Sequence, residues 1–339
     1  MNCDRFLSLL VLGGLSFGSV RAAEEITIYT QRHYAFDEEL HAMFTANTGI
    51  KVNVVKANAD ELMVRIKEEG DNTPADLFMT ADGGTLDRAR VAGLLQPILS
   101  QDVLNRVAAS LRDADGNWIA MTQRGRVIVY SPDRVKPEEL STYEDLANPR
   151  WRGRLLVRSS TSSYNQSLLA TIIAADGSEK AAEWAKAVRE NMARPPQGSD
   201  RDQAKAVAAG LGDVAIMNTY YVGLLEGSEN QADRDAAAKI KVFFPNQDGR
   251  GAHVNISGVG ILKASKKVDL ATKFIEFVLS DEAQSLIPNK TYEYPVVTTV
   301  PWSEQQERWG KFKADPVALA TLGEFNAEAV RIFNEAGWE

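Results

Sequence analysis

Between residues 25 and 95 the apolar side chains change period repeatedly, and this alternation constrains the fold more than any other feature of the chain. Residues 25–30 (Glu-Ile-Thr-Ile-Tyr-Thr) repeat every second position with β-branched side chains, as a strand does. Phe36, Leu40, Met43 and Phe44 then recur at helical spacing until Asn-Thr-Gly at 47–49. A strand over 50–55, a helix over 59–69 with Leu62, Val64 and Ile66 among its apolar residues, a strand over 75–79 and a helix over 85–95 follow. Strands alternating with helices build an α/β unit on an open, largely parallel sheet. Ligands of such sheets sit beyond the carboxyl ends of the strands, where residues 29–34 and 80–84 fall.

After Trp118 the segments shorten. Strands are predicted over 118–121, 126–130, 155–157, 213–217, 242–244 and 256–261, and helices over 164–174, 179–193, 268–280 and 316–336. A chain of 339 residues exceeds the roughly 250–300 at which one core stops growing. The pattern therefore predicts two α/β lobes joined by extended segments near 121–127 and 243–257.

Arg5, the apolar run from Phe6 to Val20, and small residues at Val20 and Ala22 predict a cleaved secretory signal over residues 1–22. A buried N-terminal helix is the competing reading. The run is too short and too glycine-rich for a membrane span of about 20 residues. Cleavage would remove Cys3, the only cysteine, leaving no disulfide, thiolate metal site or cysteine nucleophile. It would also remove Asp4, Arg5 and Arg21, making the net charge one unit more negative than −8. Such acidity argues against a nucleic-acid binder. The chain has no Gly-x-Ser-x-Gly, His-Glu-x-x-His, P-loop or Rossmann glycine pattern, which speaks against an enzyme.

Four of the nine tyrosines stand where a ligand would bind. Tyr34 follows the first strand beside His33. Tyr164 opens a helix after the Ser/Thr run at 159–163, and Tyr220 and Tyr221 close the strand over 213–217. In a turn or a first helical turn both rings of the pair can face one point. A hard, highly charged cation favours anionic oxygen ligands. Phenolate is the most basic oxygen among the side chains, with an ordinary pKa of about 10, so it ionises only where a strong cation drives the proton off. Fe(III) does so, whereas Ca(II) and Mg(II) do not at neutral pH. A tyrosine at a strand end, taken alone, usually packs its ring and hydrogen-bonds its hydroxyl; the four together point further. A receptor for an organic or anionic solute (a polyamine, thiamine or a phosphonate) is the second reading, with the rings stacking on a cation and the Ser/Thr run and Arg124 meeting an anion.

Gln-Arg-His-Tyr at 31–34, Ala-Asp-Leu-Phe-Met-Thr-Ala-Asp at 75–82, Gly-Leu-Leu-Gln-Pro at 93–97, the run from Tyr143 to Gly153, Ser-Ser-Tyr-Asn-Gln at 162–166 and Asn-Thr-Tyr-Tyr at 218–221 together resemble a known family. It is that of the periplasmic ferric-iron-binding proteins of bacterial ABC iron importers, in the subgroup with a His-Tyr pair and no obligatory external anion. The resemblance spans essentially the whole processed chain. It implies a hinged, two-lobed periplasmic solute-binding fold of type II, each lobe an open mixed sheet flanked by helices. The expected division is 23–122 plus about 244–300 for lobe 1, and 123–243 plus about 301–339 for lobe 2. The resemblance also implies a periplasmic monomer that carries Fe(III) to a permease of the inner membrane. The implied ligands are the phenolates of Tyr34, Tyr164, Tyr220 and Tyr221, with His33 as an additional one. Arg124 is the expected offset for the excess negative charge of four phenolates around Fe(III). Some members carry an arginine shortly after the tyrosine pair; here that stretch reads Val-Gly-Leu-Leu at 222–225.

Overall fold

The computed structural model describes residues 24–32 and 34–338. The expected secretory signal and His33 therefore lie outside the described residues. Ten strands are present among them: β1 (Glu25–Thr30), β2 (Lys51–Lys56), β3 (Leu77–Thr80), β4 (Leu95–Gln96), β5 (Ile119–Tyr130), β6 (Leu155–Leu156), β7 (Val214–Asn218), β8 (Lys241–Phe243), β9 (Val254–Leu262) and β10 (Tyr294–Pro295). Their main order is β2-β1-β3-β9-β5-β7-β6, with β4 on β9 and both β8 and β10 on β5. β1 runs parallel to β2 and β3, and β6 runs parallel to β7. β9 and β5 enter antiparallel, so the sheet is mixed.

β5 serves two halves of the molecule. From Ile119 to Gly125 it pairs with β9, and from Arg126 to Tyr130 with β7. The sequence pattern suggested two short strands there, because Thr-Gln-Arg-Gly-Arg at 122–126 is polar enough to look like a connection. In the structure those polar residues are mostly buried, and one strand of 12 residues carries them through.

Each half has its own apolar core. One packs Ile28, Phe44, Phe78, Ile119, Ile261 and Phe274. On the far side, Trp151, Leu169, Trp184, Ile216 and Phe333 form a second cluster, and Val127, Met217, Leu225 and Ile240 a third on the other face of β7. Phe44 meets Phe274 edge-on at 5.2 Å and Phe277 at 5.6 Å; such ring pairs contribute about 0.5–1.5 kcal/mol beyond area burial.

Local chemistry sets the helix ends. The Asn58 side chain accepts from the Asp60 amide at 2.9 Å and caps the helix Ala59–Glu69, whose first turn carries Asp60 and Glu61. Gly49, at φ 74°, closes the helix Ala35–Thr48 in the left-handed region. His41 on that helix is buried against Phe274. Val64, expected among the apolar residues of the next helix, is 55% exposed. Among the described residues no helix is long and apolar enough to cross a membrane.

Candidate metal centre

The carboxyl end of β1 delivers the first tyrosine. The Arg32 amide donates to Thr30 Oγ1 at 2.9 Å. Its guanidinium forks onto Asp37, with Nε to Oδ2 at 3.2 Å and Nη2 to Oδ1 at 2.9 Å. Two parallel bonds of this kind fix the plane of the group. Asp37 lies in the first turn of the helix Ala35–Thr48, where a negative charge is favoured. Arg32, only 2% exposed, thus forms a fixed support for Tyr34, with its guanidinium carbon 4.6 Å from the ring centroid.

The other three tyrosines come from helix starts in the second half. β7 hands over at Asn218 to the helix Thr219–Glu226, which places Tyr220 and Tyr221 in its first turn. Their ring centroids are 4.2 Å apart at 34°, so the two adjacent side chains do face the same region. Tyr164 lies in the first turn of the helix Ser163–Asp176 and accepts a hydrogen bond from the Tyr220 hydroxyl at 3.2 Å. Tyr34 closes the group, its ring edge-on to Tyr220 with centroids 6.1 Å apart. The structure therefore brings together all four tyrosines singled out in the sequence.

Arginines surround the phenols. Arg124, Arg126 and Arg158 stand 5.7, 5.9 and 5.3 Å from the Tyr164 ring centroid, within the range of a cation–π attraction. Arg124 is buried, not a surface residue, and donates to the Ala81 carbonyl. Arg126 is held by Asp200 at 3.1 Å, Asn218 at 2.9 Å and Asn165 at 2.6 Å. Asp200, fully buried, also accepts from the Asn218 amide at 2.9 Å and faces Arg158 at 3.5 Å.

Glu293 is a buried acid that sequence reasoning missed. Its Oε2 accepts from Thr122 Oγ1 at 2.6 Å, and its Oε1 lies 3.5 Å from the Tyr34 hydroxyl. Arg32 and Arg124 approach it at 3.7 and 4.0 Å. Thr122 and Tyr34 are 171 and 259 residues away from it in the chain. Nothing in the local run Tyr-Glu-Tyr-Pro at 292–295 signals them.

Burial above all pushes the hydroxyls of Tyr34 and Tyr220 well above the ordinary value of 10.0. Glu293 adds to the shift of Tyr34, and the neighbouring phenols add to that of Tyr220. Tyr221 rises for the same leading reason, with Tyr164 and Asp200 contributing. These three hydroxyls hold their protons, and only a strong Lewis acid can remove them at neutral pH. Among the described residues no group of three or more His, Cys, Asp or Glu converges as a metal site; the oxygen donors that do converge here are phenols.

Contacts between the two halves frame this site. Asp82 Oδ1 accepts from Ser167 Oγ at 2.8 Å and from Asn255 Nδ2 at 2.7 Å. Tyr292, at φ 60°, lays its ring against Gly223 of the helix that bears the tyrosine pair. A left-handed backbone at a non-glycine residue costs about 1–3 kcal/mol and persists only where the surroundings enforce it.

Comparison with known proteins follows from this geometry. A family model for bacterial extracellular solute-binding proteins matches residues 72–314. Iron uptake protein A1 of Synechocystis sp. is 49% identical over 316 residues, covering 93% of this chain and 88% of the relative. Iron uptake protein A2 of the same organism is 42% identical over 335 residues, covering 98% and 95%. The solved structure of the Trichodesmium protein IdiA (FutA), in complex with iron and citrate, superposes with a TM-score of 0.89 at 45% identity, covering 93% of this chain and 100% of that one.

Proposed function

Since the chain belongs to the bacterial extracellular solute-binding proteins, within the branch of the iron uptake and ferric-binding proteins, we propose that it binds Fe(III) and delivers it to an ABC-type permease. It acts as a periplasmic monomer and performs no catalysis. The ligands are the phenolates of Tyr34, Tyr164, Tyr220 and Tyr221, and His33 stands next to the first of them in the chain. The observation that carries this reading is the convergence of four phenols, with the Tyr220 hydroxyl 3.2 Å from that of Tyr164 and the Tyr34 ring against Tyr220.

Charge supports it. Four phenolates around Fe(III) leave one net negative charge, which a buried site must offset. Arg32, Arg124, Arg126 and Arg158 bring positive charge to the rings, while Asp37, Glu293, Asp200 and the buried Asp82 bring negative charge around them. The arginines beside the rings are the groups placed to offset the charge of the phenolates.

The separate apolar clusters on the two sides of the molecule support lobes divided near residues 122 and 244, with Leu319 and Leu322 still packed in the first cluster. Tyr164, Tyr220 and Tyr221 belong to one lobe and Tyr34 to the other. Iron meets the three clustered tyrosines first, and Tyr34 joins as the cleft shuts, so that closure is selected by the added bond.

A visible spectrum of the purified protein tests the reading. One equivalent of chelated Fe(III) should raise an orange-red phenolate-to-iron band that weakens in Tyr220→Phe. A wild-type protein that stays colourless, with a melting temperature indifferent to iron, would sink the ferric reading and favour an organic or anionic solute.

A further inference from the structure

We propose that Glu293 sets the valence preference of this site, as a positioning residue whose buried negative charge favours Fe(III) over Fe(II). The inference rests on the ferric reading above and goes beyond it, because Glu293 is not among the ligands.

Three observations bear on Glu293, and the first and third set it apart from the other acids near the tyrosines. First, Asp37 and Asp200 each make a direct hydrogen bond to an arginine, at 2.9 and 3.1 Å. Glu293 is instead shared between Arg32 at 3.7 Å and Arg124 at 4.0 Å, both beyond hydrogen-bond reach. Of the three it alone has no arginine in direct hydrogen-bond contact. Second, it is 0% exposed, so no bulk water screens it. Third, Thr122 holds Oε2 at 2.6 Å and leaves Oε1 directed at the Tyr34 hydroxyl, 3.5 Å away. The carboxylate is therefore fixed immediately behind one of the oxygens proposed to meet the metal.

A fixed anion acts unequally on the two valences. Fe(III) carries one more positive charge than Fe(II), so a nearby carboxylate stabilises the oxidised ion more. The adjacent Arg124 acts in the opposite sense. The pair forms a balance, and its negative arm is aimed at Tyr34. Glu293 reaches the centre through Tyr34, which joins on closure. Opening the cleft separates the iron from this anion and so raises its midpoint potential, which favours reduction by an external one-electron donor.

The test is a redox titration of the iron-loaded protein followed by its visible band. Glu293→Gln keeps the shape and removes the charge. It should shift the ratio of Fe(III) to Fe(II) affinity at least tenfold toward Fe(II), which for a one-electron couple raises the midpoint potential by about 59 mV. Glu293→Asp, which keeps the charge, should lie closer to wild type than the glutamine variant. Arg124→Gln should move the potential downward. A purely structural role for Glu293 would alter melting temperature without this dependence on the sign of the charge. A coloured Glu293→Gln protein at the wild-type potential overturns the inference while leaving the ferric reading intact. If the glutamine variant does not fold, Arg124→Gln decides, and an unmoved potential there also overturns it. A wild type that never colours ends both readings together.

Discussion

At the scale of single residues the four tyrosines are not equivalent. Tyr164, Tyr220 and Tyr221 come from two helix starts within one half, whereas Tyr34 comes from the end of β1 in the other. Replacing Tyr34 with Phe should therefore leave a weaker coloured complex, with affinity reduced at least tenfold, that does not compact when iron is added. Small-angle scattering with and without iron reads this directly. A Tyr34→Phe protein that shrinks as wild type does would show that closure needs no bond from Tyr34. The tyrosines were legible in the sequence because a phenol at a strand or helix end is visible in a linear pattern. Their surroundings were not. Arg124 could be singled out by position, but Glu293 and Asp200 act through partners brought in by the fold, such as Arg126, which is 74 residues from Asp200. The burial of His41 is hidden for a related reason. Its neighbours Asp37, Glu38 and Glu39 suggest a wet face, yet tertiary packing turns its ring onto Phe274 at 5.7 Å.

Among the elements, the helix Thr219–Glu226 does two jobs: its first turn presents the tyrosine pair, and its Gly223 receives the Tyr292 ring. A Cβ at residue 223 would lie 2.4 Å from Tyr292 Cγ, closer than any real contact. Overpacking of this kind costs about 1–3 kcal/mol. Gly223→Val should therefore weaken iron binding roughly ten- to hundredfold by holding the halves apart, and adding Tyr292→Ala should restore it. Iron titrations of the single and double variants measure this; wild-type affinity in Gly223→Val would rule the contact out as part of closure. Long periodic elements were readable in advance, among them β1, β2 and the helices Ala35–Thr48 and Ala59–Glu69. The two-residue strands β4 and β10 were not, although the equally short β6 was marked by its apolar run. The helix Asp281–Lys290 was hidden by Pro288 inside it, although the Ser280 side chain caps its start. Such elements are defined by their neighbours rather than by their own sequence.

For the molecule as a whole, buried titratable groups bound the pH range of the iron-free form. Burial and nearby arginines hold the buried His253 well below 6.5, and burial also lowers His41. The unfolded chain takes up those protons first, so the stability present above pH 6.5 is lost as pH falls. Burial raises Tyr143, Tyr220 and Tyr294 above 10.0. There the unfolded chain releases its protons first, and the stability present below pH 10 is lost as pH rises. Each group sets a slope of up to about 1.4 kcal/mol per pH unit. Melting temperatures of the iron-free protein should form a plateau between these limits; a steady rise past pH 10 would contradict the burial of the tyrosines. The continuous strand β5 has a mechanical consequence as well. It bonds to β9 up to Gly125 and to β7 from Arg126 onward, so the two ladders lie end to end on one backbone. The junction at residues 125–126 belongs to neither ladder's interior, so the halves can swing about it with both ladders intact.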